Sequence, residues 1–156
     1  MFSNRGRPMN AVGLISLLAR VALMVTLGLG VLYWIAQVLR WSGLLILLAQ
    51  IGFPTIHEWL GAIGALGLLI LGAIAIWTRG SRLLGAGGVV YALLIPAFGM
   101  TQTLILVGNL HWLIRAAHLL VGLGAMAFVQ RIEKRHQRLK APSSGEGTPD
   151  EASQAA

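Results

Sequence analysis

Four stretches of this 156-residue chain are each long and apolar enough to cross a bilayer, at about residues 13–35, 56–77, 83–107 and 110–130. About 20 consecutive apolar residues let a helix span the hydrocarbon core, and each run meets that length. The composition agrees: 56% of residues are hydrophobic and 11% charged, with a mean hydropathy of +0.77. Soluble domains carry about 25% charged residues, and one this small has no interior large enough to hide so much apolar surface. The expectation is an all-α membrane protein, a four-transmembrane-helix up-down bundle over residues 1–140, with residues 141–156 (APSSGEGTPDEASQAA) as a disordered cytoplasmic tail.

Several function classes fall away at once. The chain has no cysteine, which excludes disulfides, iron–sulfur clusters, thiolate metal sites and covalent c-type haem. The net charge of +7 sits at the ends of the apolar runs. It is not interleaved with base-stacking aromatics, so lipid headgroups rather than nucleic acid are the expected partner.

Taken in order, MFSNRGRPMN carries Arg5 and Arg7 and leads into an apolar run much longer than a signal-peptide core of roughly 7–15 residues. It reads as an uncleaved first span, with Arg20 snorkelling to the interface near the cytoplasmic end and Tyr33 and Trp34 at the other interface. Residues 41–53 are apolar but too short to cross, and read as an interfacial or re-entrant helix closed by a turn at Gly52-Phe53-Pro54. Pro54 and Thr55 then open the second span, with Thr55 as N-cap and the helix running from Ile56 to Trp77. Arg79 and Arg82 flank the next turn. The third span, from Leu83 to about Val107, contains Pro96 and Gly99 as kink formers and has a more polar outer third, Met100 to Thr103. Gly108 and Asn109 break the chain before the fourth.

Positive charge orients the bundle. With four spans, Arg5, Arg7, Arg79, Arg82, Arg131, Lys134, Arg135, Arg138 and Lys140 share one side, and the opposite side has Arg40 alone. Both termini are therefore expected in the cytoplasm of a cell with the protein in its inner (plasma) membrane. The starts of spans two and four, with His57, His111 and His118, are expected at the outer face.

The fourth span begins HWLIRAAHLLVGLGAM. His111, Arg115 and His118 follow at i, i+4 and i+7 on one helical face, with Gly122 and Ala125 below them. Ionisable groups at membrane depth are expensive and point to function. Counted from the cytoplasmic charges, His57 lies 22 residues above Arg79, His111 20 above Arg131 and His118 13 above it. His57 and His111 are then nearly level, and His118 is deeper. A haem b between histidines of facing helices needs such an arrangement. His57 is one axial ligand in that reading and His118 or His111 the other; Gly61 and Gly122 leave room for a flat macrocycle, and Arg115 pairs with a propionate. The packing alternatives are a Glu58–Arg115 ion pair, glycines that serve helix contact and Met100 as filling. His136 falls in the basic tail and is set aside.

The stretch HEWLGAIGALGLLIL resembles the haem-binding helix of bacterial cytochrome b561-type proteins, in which a histidine, a bulky residue and Leu-Gly open a span. MTQTLILVGNLHWLIRAAHLLVGLGAM resembles the last span of small four-helix membrane proteins related to b-type cytochromes. The resemblance covers about half the chain. It implies haem ligation by His57 with His111 or His118, and electron transfer between membrane quinone and an extracytoplasmic redox partner, by the chain alone, as a homo-oligomer or within a larger membrane complex. The first span carries no histidine, so the usual ligands of a second haem are missing. Two alternatives belong to other classes: a haem-free quinone-binding or sensory protein using His118, Gln102 and Thr103, and a structural or assembly subunit.

Overall fold

The structure is a computed structural model that describes residues 11–106 and 108–140. Arg5, Arg7 and the expected tail at 141–156 lie outside the described residues. Five helices follow one another: α1 (Ala11–Val38), α2 (Ser42–Gln50), α3 (Phe53–Trp77), α4 (Arg82–Thr101) and α5 (His111–Lys140), with a single 3₁₀ turn, Gln102–Leu104, after α4. Among the described residues there is no strand. Four of the helices are long and apolar enough to cross a membrane. At about 1.5 Å per residue the nine residues of α2 reach only ~14 Å, less than half the hydrocarbon thickness.

The outward surface shows what solvent these helices require. Leu18, Val21 and Met24 on α1, Leu66 on α3, Leu93 on α4 and Leu120 on α5 are each more than half exposed. A soluble monomer rarely shows contiguous apolar patches beyond a few hundred Å². These faces run the length of all four spans, and lipid tails are the medium that accepts them.

Lipid tails are as apolar as leucine, so helices associate there by close packing. Small residues on α3 supply it. A Cβ on Gly67 would sit 2.6 Å from the Ala19 Cβ of α1, and one on Gly64 2.6 Å from a Leu23 methyl. On the other side Gly72 meets Gly85 of α4 backbone to backbone, where a Cβ on Gly85 would be 2.5 Å from the Ile76 nitrogen. Accordingly α3 packs most extensively on α4 and α1, with α5 against all three. The core between them is Leu68, Leu71, Ala125 and Val129, all fully buried.

Helix ends depart from expectation where special backbone angles intervene. Gly52 is left-handed (φ 72°) and itself caps α3, so the helix begins at Phe53, not Ile56, and Thr55 lies inside it. Pro54 then occupies the first turn, where a missing N–H breaks no intrahelical bond. α1 runs on to Val38, and the left-handed Arg40 (φ 51°) turns the chain after it. α4 stops at Thr101, short of Val107, and passes through the 3₁₀ turn to Leu106 (φ 48°). α5 continues nine residues past Arg131 as regular helix, so His136 is part of a helix and not of a tail.

Candidate functional site

At one end of the bundle every long helix contributes at least one ring to a continuous row. Tyr33 of α1 stacks on Phe53 of α3 (centroids 4.8 Å apart, 16° between planes). Phe53 meets His57 one turn on (5.6 Å). His57 meets His118 of α5 (6.1 Å, 38°), and His118 stacks on Phe98 of α4 (5.9 Å, 19°). All four spacings fall within the roughly 4.5–7 Å at which aromatic rings attract.

Glycines on two helices admit the imidazoles. A Cβ at Gly30 of α1 would lie 3.2 Å from His57 Cε1, and one at Gly99 of α4 3.8 Å from His118 Cε1. Both histidines are half-buried. Their Nδ1 atoms are fully buried and have no hydrogen-bond partner among the described residues. A buried polar atom without a partner is costly, and here two such atoms belong to rings whose centroids are 6.1 Å apart.

The structure brings His57 together with His118. His111 sits at the first residue of α5, where its Nδ1 lies 3.4 Å from the Ile105 carbonyl, a long contact. Counting depth from Arg79 and Arg131 levelled His57 with His111 because it assumed the two arginines lie at one depth. They do not. Leu71 and Ile132 line the same small cavity, and His57 and His118 each lie 14 residues above their respective marker. Arg131 is therefore about level with Ile70, well above the α3–α4 turn.

Arg115, one turn outward from His118, donates from Nη1 to Oε1 of Gln37 in the last turn of α1. Glu58 is exposed and does not take that role. Gln37 escaped the sequence reading because helix one was expected to end before it. The recesses expected beside two small residues are filled by α1: Gly61 faces the Thr26 methyl at 3.7 Å and Gly122 a Leu27 methyl at 3.2 Å, measured from a modest Cβ. Met100 is 78% exposed and turned away from the row. His118 meets α4 through Phe98 and Gly99, one turn below Gln102; Thr103 is exposed.

A second polar cluster lies near the opposite end. Glu133 of α5 accepts from the Ser16 hydroxyl of α1 (2.6 Å), pairs with Arg20 Nη2 (3.1 Å) and accepts from Gln137 Nε2 (3.1 Å). Arg20 is thus held by a partner and does not simply snorkel. The signal in the sequence was two polar pairs at i, i+4: Ser16 with Arg20 on α1, and Glu133 with Gln137 on α5.

No known protein family, curated protein or solved structure matches the chain. The likeness to b561-type cytochromes therefore rests on the residues quoted for it.

As a test of fit, two imidazoles on opposite sides of one metal, with metal–nitrogen bonds of about 2.0–2.1 Å, place their ring centroids roughly 6.3 Å apart. The His57–His118 centroids are 6.1 Å apart. Among the described residues no group of three or more His, Cys, Asp or Glu side chains could hold a bare ion. A two-imidazole donor set suits a metal that brings its remaining ligands with it, as haem iron does. Gly61 and Gly122, already filled, are not part of the fitting set.

Proposed function

We propose that the protein is a membrane b-type cytochrome, or a cytochrome-like subunit of a membrane complex, that carries electrons between membrane quinone and an extracytoplasmic partner. The observation that carries this reading is the His57–His118 pair: two half-buried imidazoles on different spans, 6.1 Å apart, each with a buried Nδ1 lacking a partner. His57 and His118 would hold the haem iron, in preference to His111. When bound, haem supplies a one-electron couple whose potential is set by axial ligands, hydrogen bonding and burial.

The chain's own residues do the rest. Phe53 and Phe98 hold the imidazole planes from either side, and the apolar row excludes water from the ligands. Arg115, fixed by Gln37, presents the remaining donors of its guanidinium to an anionic group one turn outward, a propionate in this reading. The bundle is read as up-down, with both termini cytoplasmic, the histidine end facing outward in the inner (plasma) membrane, and α2 lying at that interface as an interfacial or re-entrant segment. The distribution of Lys and Arg supports this orientation.

The test is the absorbance of the purified full-length chain, oxidised and then reduced, after expression with ample haem. The expected result is a sharp reduced α-band in the wild type and in His111→Ala, lost in His57→Ala and in His118→Ala. Wild-type protein without haem overturns the proposal; loss in His111→Ala with retention in His118→Ala overturns the ligand assignment.

A further inference from the structure

The turn between α3 and α4 meets α5 at a small, mostly apolar cavity with a few polar groups in its lining. Its polar lining is Ser81, Thr78 and His136, and its apolar walls include Val12, Leu71 and Ile132. Ser81 is only 5% exposed. Its hydroxyl and the Nε2 of His136 are buried and have no hydrogen-bond partner among the described residues. The space available to the centre of a water molecule is ≈ 10 Å³, about the lower limit for holding a single water. Two otherwise unsatisfied polar atoms around a one-water space are what an ordered internal water needs.

We infer that one water molecule binds in this cavity and bridges Ser81 Oγ to His136 Nε2, clamping the α3–α4 turn to α5. The chemistry of the lining favours water over other small ligands. A hydroxyl both donates and accepts, and an imidazole nitrogen does one or the other according to tautomer. Water complements either tautomer by reversing its own orientation, which a fixed side chain does not do. Thr78 already donates its hydroxyl proton to the Ile74 carbonyl (2.9 Å), so its oxygen keeps lone pairs for a third bond. The site carries no net charge to attract an ion, and its apolar walls leave no further donors for a larger polar molecule.

The water is one of two ties between the same elements. Arg135 Nη2 also donates to the Gly80 carbonyl (3.3 Å), and Gly80 is left-handed (φ 82°), which turns that carbonyl out of the loop. Residues 135 and 136 of α5 thus hold residues 80 and 81 of the turn side by side. Because the histidine row is 18 residues above His136 on α5 and 20 residues above the end of α3 at Trp77, the clamp fixes the register of those helices at the end remote from the row.

The experiment is nuclear magnetic resonance of the full chain in lipid nanodiscs with labelled histidine side chains, using water itself as the probe. A cross-peak of the sign given by bound water is expected in the wild type at a His136 ring proton beside Nε2: Nε2–H in one tautomer, the carbon-bound Hε1 or Hδ2 in the other. In Ser81→Val, whose methyl groups fill the space, it falls at least about threefold; in Ser81→Ala, which removes one partner without adding bulk, it falls by about half. His111 signals serve as the reference and do not change. Absence of the wild-type cross-peak, or its retention at full strength in Ser81→Val with helicity preserved, overturns the inference. Should Ser81→Val fail to fold, an unaltered cross-peak in Ser81→Ala overturns it equally.

Discussion

Removing one member of the Arg20–Glu133 pair should cost more than removing both costs per residue, and the two single losses should be unequal. The ion pair joins α1 to α5 at 3.1 Å, with Arg20 34% and Glu133 12% exposed. Unit charges with centres about 4 Å apart attract by about 4 kcal/mol at an effective dielectric of ~20. Screening at the more exposed arginine brings the expected coupling down to roughly 2 kcal/mol. Arg20→Met leaves a short, buried carboxylate without its counter-charge, at a cost of about 3 kcal/mol. Glu133→Gln leaves a cation on a long stem that can reach the interface, and costs about 1.5 kcal/mol. The double variant is expected near 2.5 kcal/mol. The assay is unfolding of the full chain in mild-detergent micelles by increasing dodecyl sulfate, followed by tryptophan fluorescence and circular dichroism. Costs that add to within about 0.5 kcal/mol, or a larger loss for Glu133→Gln than for Arg20→Met, refute the reasoning.

Other substitutions probe the packing. Gly85→Val places atoms against the Ile76 nitrogen and the Gly72 carbonyl and should destabilise by about 3 kcal/mol or more, whereas Gly28→Ala, with nothing within 4 Å, should be neutral or stabilising by up to ~1 kcal/mol; the same unfolding assay separates them. Tyr91→Phe deletes the hydroxyl that donates to the Val121 carbonyl (3.1 Å) and should cost about 1 kcal/mol. Leu68→Ala, at a fully buried position, should cost about 2–5 kcal/mol. If haem binds as proposed, Gly30→Val, which pushes on the His57 ring 3.2 Å from a Cβ there, should lower haem occupancy in the absorbance spectrum while leaving helicity intact.

The four spans were legible because bilayer thickness imposes a length that the apolar runs either meet or miss. Helix ends were less so. Thr55 looked like a cap because Thr often is one, but Gly52 takes the left-handed geometry that starts α3 three residues earlier. The histidines were legible as ionisable groups inside apolar helices. Their pairing was not, since it depends on axial offset between α3 and α5, and Arg131 marked a false level because α5 continues far beyond it. Partner choice was the least readable. Arg115 had Glu58 as an obvious counter-charge in sequence, yet the chain takes it to neutral Gln37, because Glu58 projects to the surface. Arg20 had no visible partner until α1 and α5 were brought side by side.

The fully buried band of Leu68, Leu71, Ala125 and Val129 separates the histidine row from the Arg20–Glu133 pair. His118 and Glu133 are 15 residues apart on α5, about 22 Å along the helix axis. The four side chains of that band are apolar and the Tyr91 hydroxyl beside it is spent on the Val121 carbonyl (3.1 Å), so the band acts like the dielectric of a capacitor, where a transmembrane voltage falls steeply. Moving one charge through the whole voltage is worth about 2.3 kcal/mol per 100 mV. If the protein carries electrons as proposed, an electron that reaches and leaves the histidine end would stay on one plate of that capacitor, and its energy there would be nearly independent of membrane potential.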